Sequence, residues 1–232
     1  MSETLAEIPP HIGFILDGNR RWAQDNGLPK LEGHRRGYDN LKTIAFAAFD
    51  RGVSYVSAYI FSTENWNREK SEVSYLMTLA LKMVTKDLDE LHKKGVRVVW
   101  FGAKEKLSNK LLDALHVAEE TTKDNQGGTL ILCFNYGGRK ELAEGVKRLI
   151  LDGYGADDIS EELIAGYLYD SDIPAVDMIV RTSGEQRISN FMLWRAAYSE
   201  LLFVDKHWPA FTVDDLESAL EEYKNRHRRF GS

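Results

Sequence analysis

Short apolar runs closed by turn residues alternate along this chain with longer stretches in which apolar residues recur every three or four positions. The first run, His11-Ile-Gly-Phe-Ile-Leu16, lies between Pro10 and Asp17-Gly18 and predicts a buried strand with Asp17 at its carboxyl end. Asn40 to Arg51 places Leu41, Ile44, Ala45, Ala48 and Phe49 on one face and predicts a helix that Gly52 ends. Tyr55 to Phe61 predicts a second strand, and Lys70 to Lys93 a long helix stopped by Gly95. Further strands are expected over Val96 to Phe101, Thr129 to Asn135, Val176 to Arg181 and Leu201 to Val204. Helices are expected over Lys106 to Lys123, from Gly138 to about Leu151, over Ser160 to Tyr167 and over Val213 to Arg228. Strands separated by helices of this length imply one α/β domain over residues 1–232, a mostly parallel six-stranded sheet with helices on both faces.

In such sheets ligands bind beyond the carboxyl ends of the strands. Those ends carry Asp17 with Arg20 and Arg21, Glu64 to Arg68, Asn135, and Arg181 with Glu185, Arg187 and Ser189. Gly18 can take a turn closed to residues with a Cβ, and the basic pair after it supplies donors for an anion. A carboxylate ahead of a basic pair suits a phosphate only when a divalent cation bridges them, although turn chemistry alone also places Asp-Gly between a strand and a helix. Several guanidiniums converging with carboxylates on one edge point to two anionic substrates.

Composition narrows the classes. A chain of 232 residues with 43% hydrophobic residues and a formal charge of −6 is ordinary for a globular protein and argues against a general nucleic-acid binder. Cys133 is the only cysteine, so no intrachain disulfide forms. Without a signal peptide or long apolar span the chain is expected in the cytoplasm, with peripheral membrane contact left open. Neither Gly-x-x-x-x-Gly-Lys-Ser/Thr nor Gly-x-Gly-x-x-Gly follows the first strand, which counts against a nucleotide-binding enzyme.

Six blocks together resemble the signatures of the cis-prenyltransferases, the undecaprenyl diphosphate synthase family: His11 to Ala23, Gly33-His34, Phe61-Ser-Thr-Glu-Asn-Trp-Asn-Arg68, Asn135-Tyr-Gly-Gly-Arg139, Arg181-Thr-Ser-Gly-Glu-Gln-Arg-Ile-Ser-Asn190 and Ala197-Tyr-Ser-Glu-Leu201. The resemblance implies a homodimer that uses Mg2+ to condense isopentenyl diphosphate onto an allylic diphosphate, forming each new double bond cis. By position, Asp17 resembles the catalytic, metal-holding aspartate, and Glu200 a second metal ligand. Gly18, Asn19, Arg20, Arg21, Trp22, Lys30 and His34 match the allylic diphosphate loop. Asn65 matches the residue assigned to proton removal, flanked by Ser62, Thr63, Glu64, Trp66 and Arg68. Arg181, Arg187, Ile188 and Ser189 match the isopentenyl diphosphate site, and Arg229-Phe-Gly231 a terminal Arg-x-Gly that reaches the partner's site.

Some positions depart from the family pattern: Arg20 stands where many members have Gly, Lys30 where Arg is common, Gln186 where some have His, and Ala210 where others place an acid. Lys for Arg keeps the charge but loses the fork. The apolar stripe of the long helix, Val73 to Leu91 widened by Leu79 and Met83, is expected to wall a hydrophobic tunnel opposite the Asn40 to Arg51 helix, with Ile60 as its constriction. The expected product is a short- to medium-chain polyprenyl diphosphate, with undecaprenyl diphosphate for cell-wall lipid carrier synthesis as both the leading expectation and the upper end. The alternatives are a farnesyl-sized cis product and a non-catalytic partner subunit; retention of Asp17 and Asn65 opposes the second. Aspartate-rich helices of an all-α terpene synthase are absent from the sequence.

Overall fold

A computed structural model describes residues 8–226. Strands form where the apolar runs predict them: β1 (His11–Ile15), β2 (Tyr55–Ser62), β3 (Arg97–Phe101), β4 (Thr129–Tyr136), β5 (Met178–Arg181) and β6 (Glu200–Phe203). They make one sheet in the order β3-β4-β2-β1-β5-β6, and every pair is parallel. β1 is fully buried between β2 and β5. The chain leaves it first toward β2 and returns to its other side only at β5, so a crevice opens at the carboxyl end of β1.

The helices are α1 (Asn19–Asp25), α2 (Lys30–Asp50), α3 (Lys70–Met83), α4 (Leu88–Lys93), α5 (Asn109–Thr122), α6 (Gly138–Leu151), α7 (Glu161–Gly166) and α8 (Val213–Asn225). One core joins Ile12, Phe14, Val56, Ala58, Leu132 and Phe134 of the sheet to α2, α3, α4, α5 and α8. On the other face Ile15, Tyr59, Ile131 and Ile179 lie under Phe191 and Met192, with α6 alongside. Phe191 sits so close over Gly13 that a Cβ there would come within 2.8 Å of its ring.

Two helices differ from expectation. α2 begins at Lys30 instead of near Asn40, and the Gly33 to Gly37 stretch lies inside it. Those glycines let α2 rest on the start of α1: a Cβ at Gly33 would stand 2.0 Å from the Asn19 carbonyl oxygen, and one at Gly37 2.0 Å from Asn19 Oδ1. The long helix expected over Lys70 to Lys93 breaks between Met83 and Leu88. Thr85 Oγ1 donates back to the Leu81 carbonyl at 2.6 Å, and the Thr85 and Asp87 amides both turn to the Lys82 carbonyl, which tightens and ends α3. α8 stops at Asn225 because Arg226 is extended, short of the expected Arg228.

No helix of the described residues is long and apolar enough to cross a membrane. Beneath the second face lies a buried ion pair. Arg195 Nη1 donates to Glu141 Oε1 at 2.6 Å, its Nη2 to the carbonyls of Tyr169 and Asp170, and its guanidinium lies 4.9 Å from the Phe101 ring centroid. Tyr136 Oη donates to Glu141 Oε2.

Candidate active site

Parallel pairing brings the polar ends of β1, β2 and β5 to one edge of the sheet. Ile15 lies opposite both Tyr59 and Arg181, so Asp17, Ser62 and Arg181 surround one crevice. Asp17 is fixed from both sides: its amide donates to Thr182 Oγ1 at 3.0 Å, and its carbonyl accepts from Trp208 N at 3.0 Å and from Thr182 Oγ1 at 2.7 Å. Its carboxylate accepts from Gly18 N at 2.7 Å, Arg21 Nη2 at 3.1 Å and Arg181 Nη2 at 2.8 Å. Burial is the largest single influence and works against the charge, but the bond and charge of Arg181, the Gly18 amide and the charge of Arg21 together outweigh it and hold the Asp17 carboxyl below the usual range. Gly18 turns at φ +94°, where a Cβ would strike Ser183 and His207.

The cations fall in two groups about Asp17. Arg21 reaches the Ser183 carbonyl at 3.2 Å and Glu185 at 3.4 Å, while Arg20 stands exposed 3.8 Å from Glu72. Across the crevice, Arg181 is buried and donates to Ser189 Oγ at 2.8 Å and to the Arg187 carbonyl, while its Nε is buried without a hydrogen-bond partner. Arg187 is exposed and paired with Glu185, Ser189 turns at φ +48°, and Ile188 packs on the second core.

Behind the crevice a cavity of about 220 Å3 runs inward between α2, α3 and the sheet. Asp17, Asn19, His34, Asn65, Arg68, Arg181 and Ser189 border it where it is polar; Leu41, Ile60, Leu79, Met83 and Phe134 line its apolar part. His34 and Glu72 are buried together, Nε2 to Oε1 at 3.0 Å, and Arg68 donates to the same oxygen at 3.0 Å. Burial pushes His34 below the ordinary imidazole range, so the neutral ring donates to Glu72. The 3-10 turn Thr63–Asn67 is tied on both sides: Trp66 Nε1 donates to Asn135 Oδ1 at 2.7 Å, and Asn190 Nδ2 to Glu64 at 3.0 Å. Asn65 Oδ1 accepts from Ser62 N at 3.1 Å.

Most of the residues expected at the site therefore meet there. Lys30 stands on its outer rim, paired with Glu69 at 2.9 Å, and Trp22 is half-buried on α1. Glu200 does not join Asp17 within one chain. It begins β6 opposite Met178, and Ile12 also pairs with Met178, so Asp17 lies five residues further along, about 16 Å away in the strand direction. Its carboxylate pairs with Arg226 at 3.0 Å instead. Arg229 and Gly231 lie outside the described residues. Sequence reasoning missed Glu72, which holds Arg68 four residues earlier, and Asn190, whose side chain bridges Glu64 and the Arg139 amide.

A family model described as "Putative undecaprenyl diphosphate synthase" matches residues 15–231. The chain belongs to this family. Consistent with that membership, it is 45% identical over 226 residues to an isoprenyl transferase of Thermotoga maritima, covering 97% of each chain. The fold is similar to the crystal structure of lavandulyl diphosphate synthase from Lavandula x intermedia in complex with dimethylallyl diphosphate, with a TM-score of 0.93, 33% identity, and 97% of this chain and 99% of that chain covered. It is also similar to that of "a probable undecaprenyl diphosphate synthase" from Campylobacter jejuni, with a TM-score of 0.81, 27% identity and the same coverage.

A divalent ion fits the donor set only as a bridge. Among the described residues no group of three or more His, Cys, Asp and Glu is gathered to hold a metal. Mg2+ keeps several waters and is commonly held by one or two carboxylates together with substrate phosphates, which a single Asp17 carboxylate between two cation groups allows.

Proposed function

We propose that this chain condenses isopentenyl diphosphate onto an allylic diphosphate in a Mg2+-dependent reaction that forms a cis double bond. The observation that carries this reading is Asp17 set between two groups of guanidiniums at the mouth of an apolar cavity. Two diphosphates and one hydrocarbon tail match that arrangement. Arg20, Arg21 and Arg68 face the allylic diphosphate in this reading, and Arg181, Arg187 and Ser189 the isopentenyl diphosphate. Asp17 would hold Mg2+, which would supply positive charge to the departing diphosphate.

In this reaction the allylic carbon–oxygen bond breaks, the terminal carbon of isopentenyl diphosphate bonds to the allylic carbon, and a proton leaves the isopentenyl unit. Asn65 does not take that proton. An amide is too weak a base for that, and its Oδ1 is already tied to Ser62 N, so Asn65 orients a substrate oxygen and the released diphosphate accepts the proton. The dimer, with Arg229 and Gly231 reaching the partner's site, and product release at a membrane surface from a cytoplasmic enzyme belong to the same reading and rest on family resemblance.

The product in this reading is a short- to medium-chain polyprenyl diphosphate, up to undecaprenyl length, whose tail enters the apolar cavity. Incorporation of labelled isopentenyl diphosphate into lipid-soluble product, with dimethylallyl, geranyl or farnesyl diphosphate as primer, is expected with Mg2+ and not with chelator. No incorporation with any primer in the presence of Mg2+ overturns the reading. Ile60 is half-buried in the cavity wall, and Ile60→Ala is expected to lengthen the products on mass analysis by widening it. Unchanged lengths would show that Ile60 is no constriction.

A further inference from the structure

The wall of the apolar cavity between α2 and α3 is not all hydrocarbon. Tyr38 lies one turn beyond His34 on α2, and its ring lines the cavity near Leu41, Met83 and Val84. Its hydroxyl leaves the cavity wall and donates to Asp87, in the break between α3 and α4. Two ammonium groups gather on the same carboxylate, Lys42 at 3.4 Å and Lys82 at 4.0 Å. Lys42 also holds Glu90 at 2.7 Å, and Lys82 stands 4.6 Å from the Tyr38 ring centroid. Burial, and then the bond to Asp87, push the Tyr38 hydroxyl well above the ordinary phenol range, so it remains a donor.

We propose that the Tyr38–Asp87 crossbar is a stop on product length in addition to Ile60, making Tyr38 a specificity-determining residue; this rests on the function proposed above. A hydrocarbon chain growing down between α2 and α3 meets the Tyr38 ring. To pass, it must swing the ring aside and break a hydrogen bond that hydrocarbon cannot replace, leaving a half-buried carboxylate short of a donor. An apolar ring of the same size has no such tether and yields by changing rotamer. The break after α3 presents Asp87 to three donors from α2 and α3.

The test compares product chain lengths for wild type, Tyr38→Phe, Tyr38→Ala and Asp87→Asn with the same primer and labelled isopentenyl diphosphate. Tyr38→Phe keeps the ring and removes the tether, so longer products from it, and longer still from Tyr38→Ala, are the expected result. Longer products from Tyr38→Ala but wild-type lengths from Tyr38→Phe overturn the crossbar in favour of plain bulk, and wild-type lengths from both overturn any role for Tyr38. Should Tyr38→Ala fail to fold, Tyr38→Phe decides alone. A wild-type enzyme that adds no isopentenyl unit overturns the proposed function, and the crossbar with it.

Discussion

Asp17→Asn is expected to lower turnover by about 10²–10³-fold, the scale set by removing one group that stabilises developing charge, and Asp17→Ala by at least as much. Asparagine nearly matches aspartate in shape and can still accept from Gly18 N or Arg181, so the strand end keeps its geometry while the charge is lost. Circular dichroism should therefore match wild type. The carboxyl of Asp17 is held below its unfolded value, so it adds stability at neutral pH that fades as pH falls through the lowered folded value. Both variants should therefore melt slightly lower at pH 7, with the gap closing in acid. Turnover within a few-fold of wild type would remove Asp17 from the mechanism.

Arg195→Ala should cost about 3–5 kcal/mol, because it strands the Glu141 charge in the core, and a typical domain has only about 5–15 kcal/mol to lose. Both side chains of the pair are almost wholly buried, and Arg195 also binds the carbonyls of Tyr169 and Asp170. Removing it frees Glu141 and the chain around residue 170 together. The double variant Arg195→Met with Glu141→Gln should regain part of the loss, since no unpaired charge remains. Urea unfolding measures both. A loss below about 1 kcal/mol for Arg195→Ala, as at an ordinary surface position, would show that water reaches Glu141.

The strands were legible because all but the partly exposed edge strand β6 are apolar runs largely buried in the sheet, and such runs read the same wherever they lie. The half of the site around Asp17 was legible for a related reason: Asp17, Gly18, Arg20 and Arg21 are contiguous, and one loop carries them. What the sequence hid depends on distant neighbours. The polar start of α2 resembles a loop until Gly33 and Gly37 are seen against Asn19. The α3–α4 break was invisible because Val84, Leu88 and Leu91 continue the apolar stripe across it, and only the bonds of Thr85 and Asp87 reveal the turn. Glu72 and Tyr38 sit on helices whose pattern speaks for packing, and their partners come from other elements. Glu200 matched a motif, yet its strand begins where the others begin, at the end of the sheet away from Asp17.

The central position of β1 also governs how the protein comes into being. β1 pairs on one side with β2, about forty residues away, but on the other with β5, more than 160 residues later. Asp17 and Arg181 thus belong to segments joined only by the most distant strand pairing in the sheet, and closing so long a loop is slow. Until β5 docks, the flank of a strand that is buried throughout in the folded sheet stands open to any other extended chain, and the loop at Asp17 lacks Thr182, Arg181 and the Trp208 amide that later fix it. The candidate site is therefore expected to form only once β5 has docked, and aggregation is expected to compete with that step.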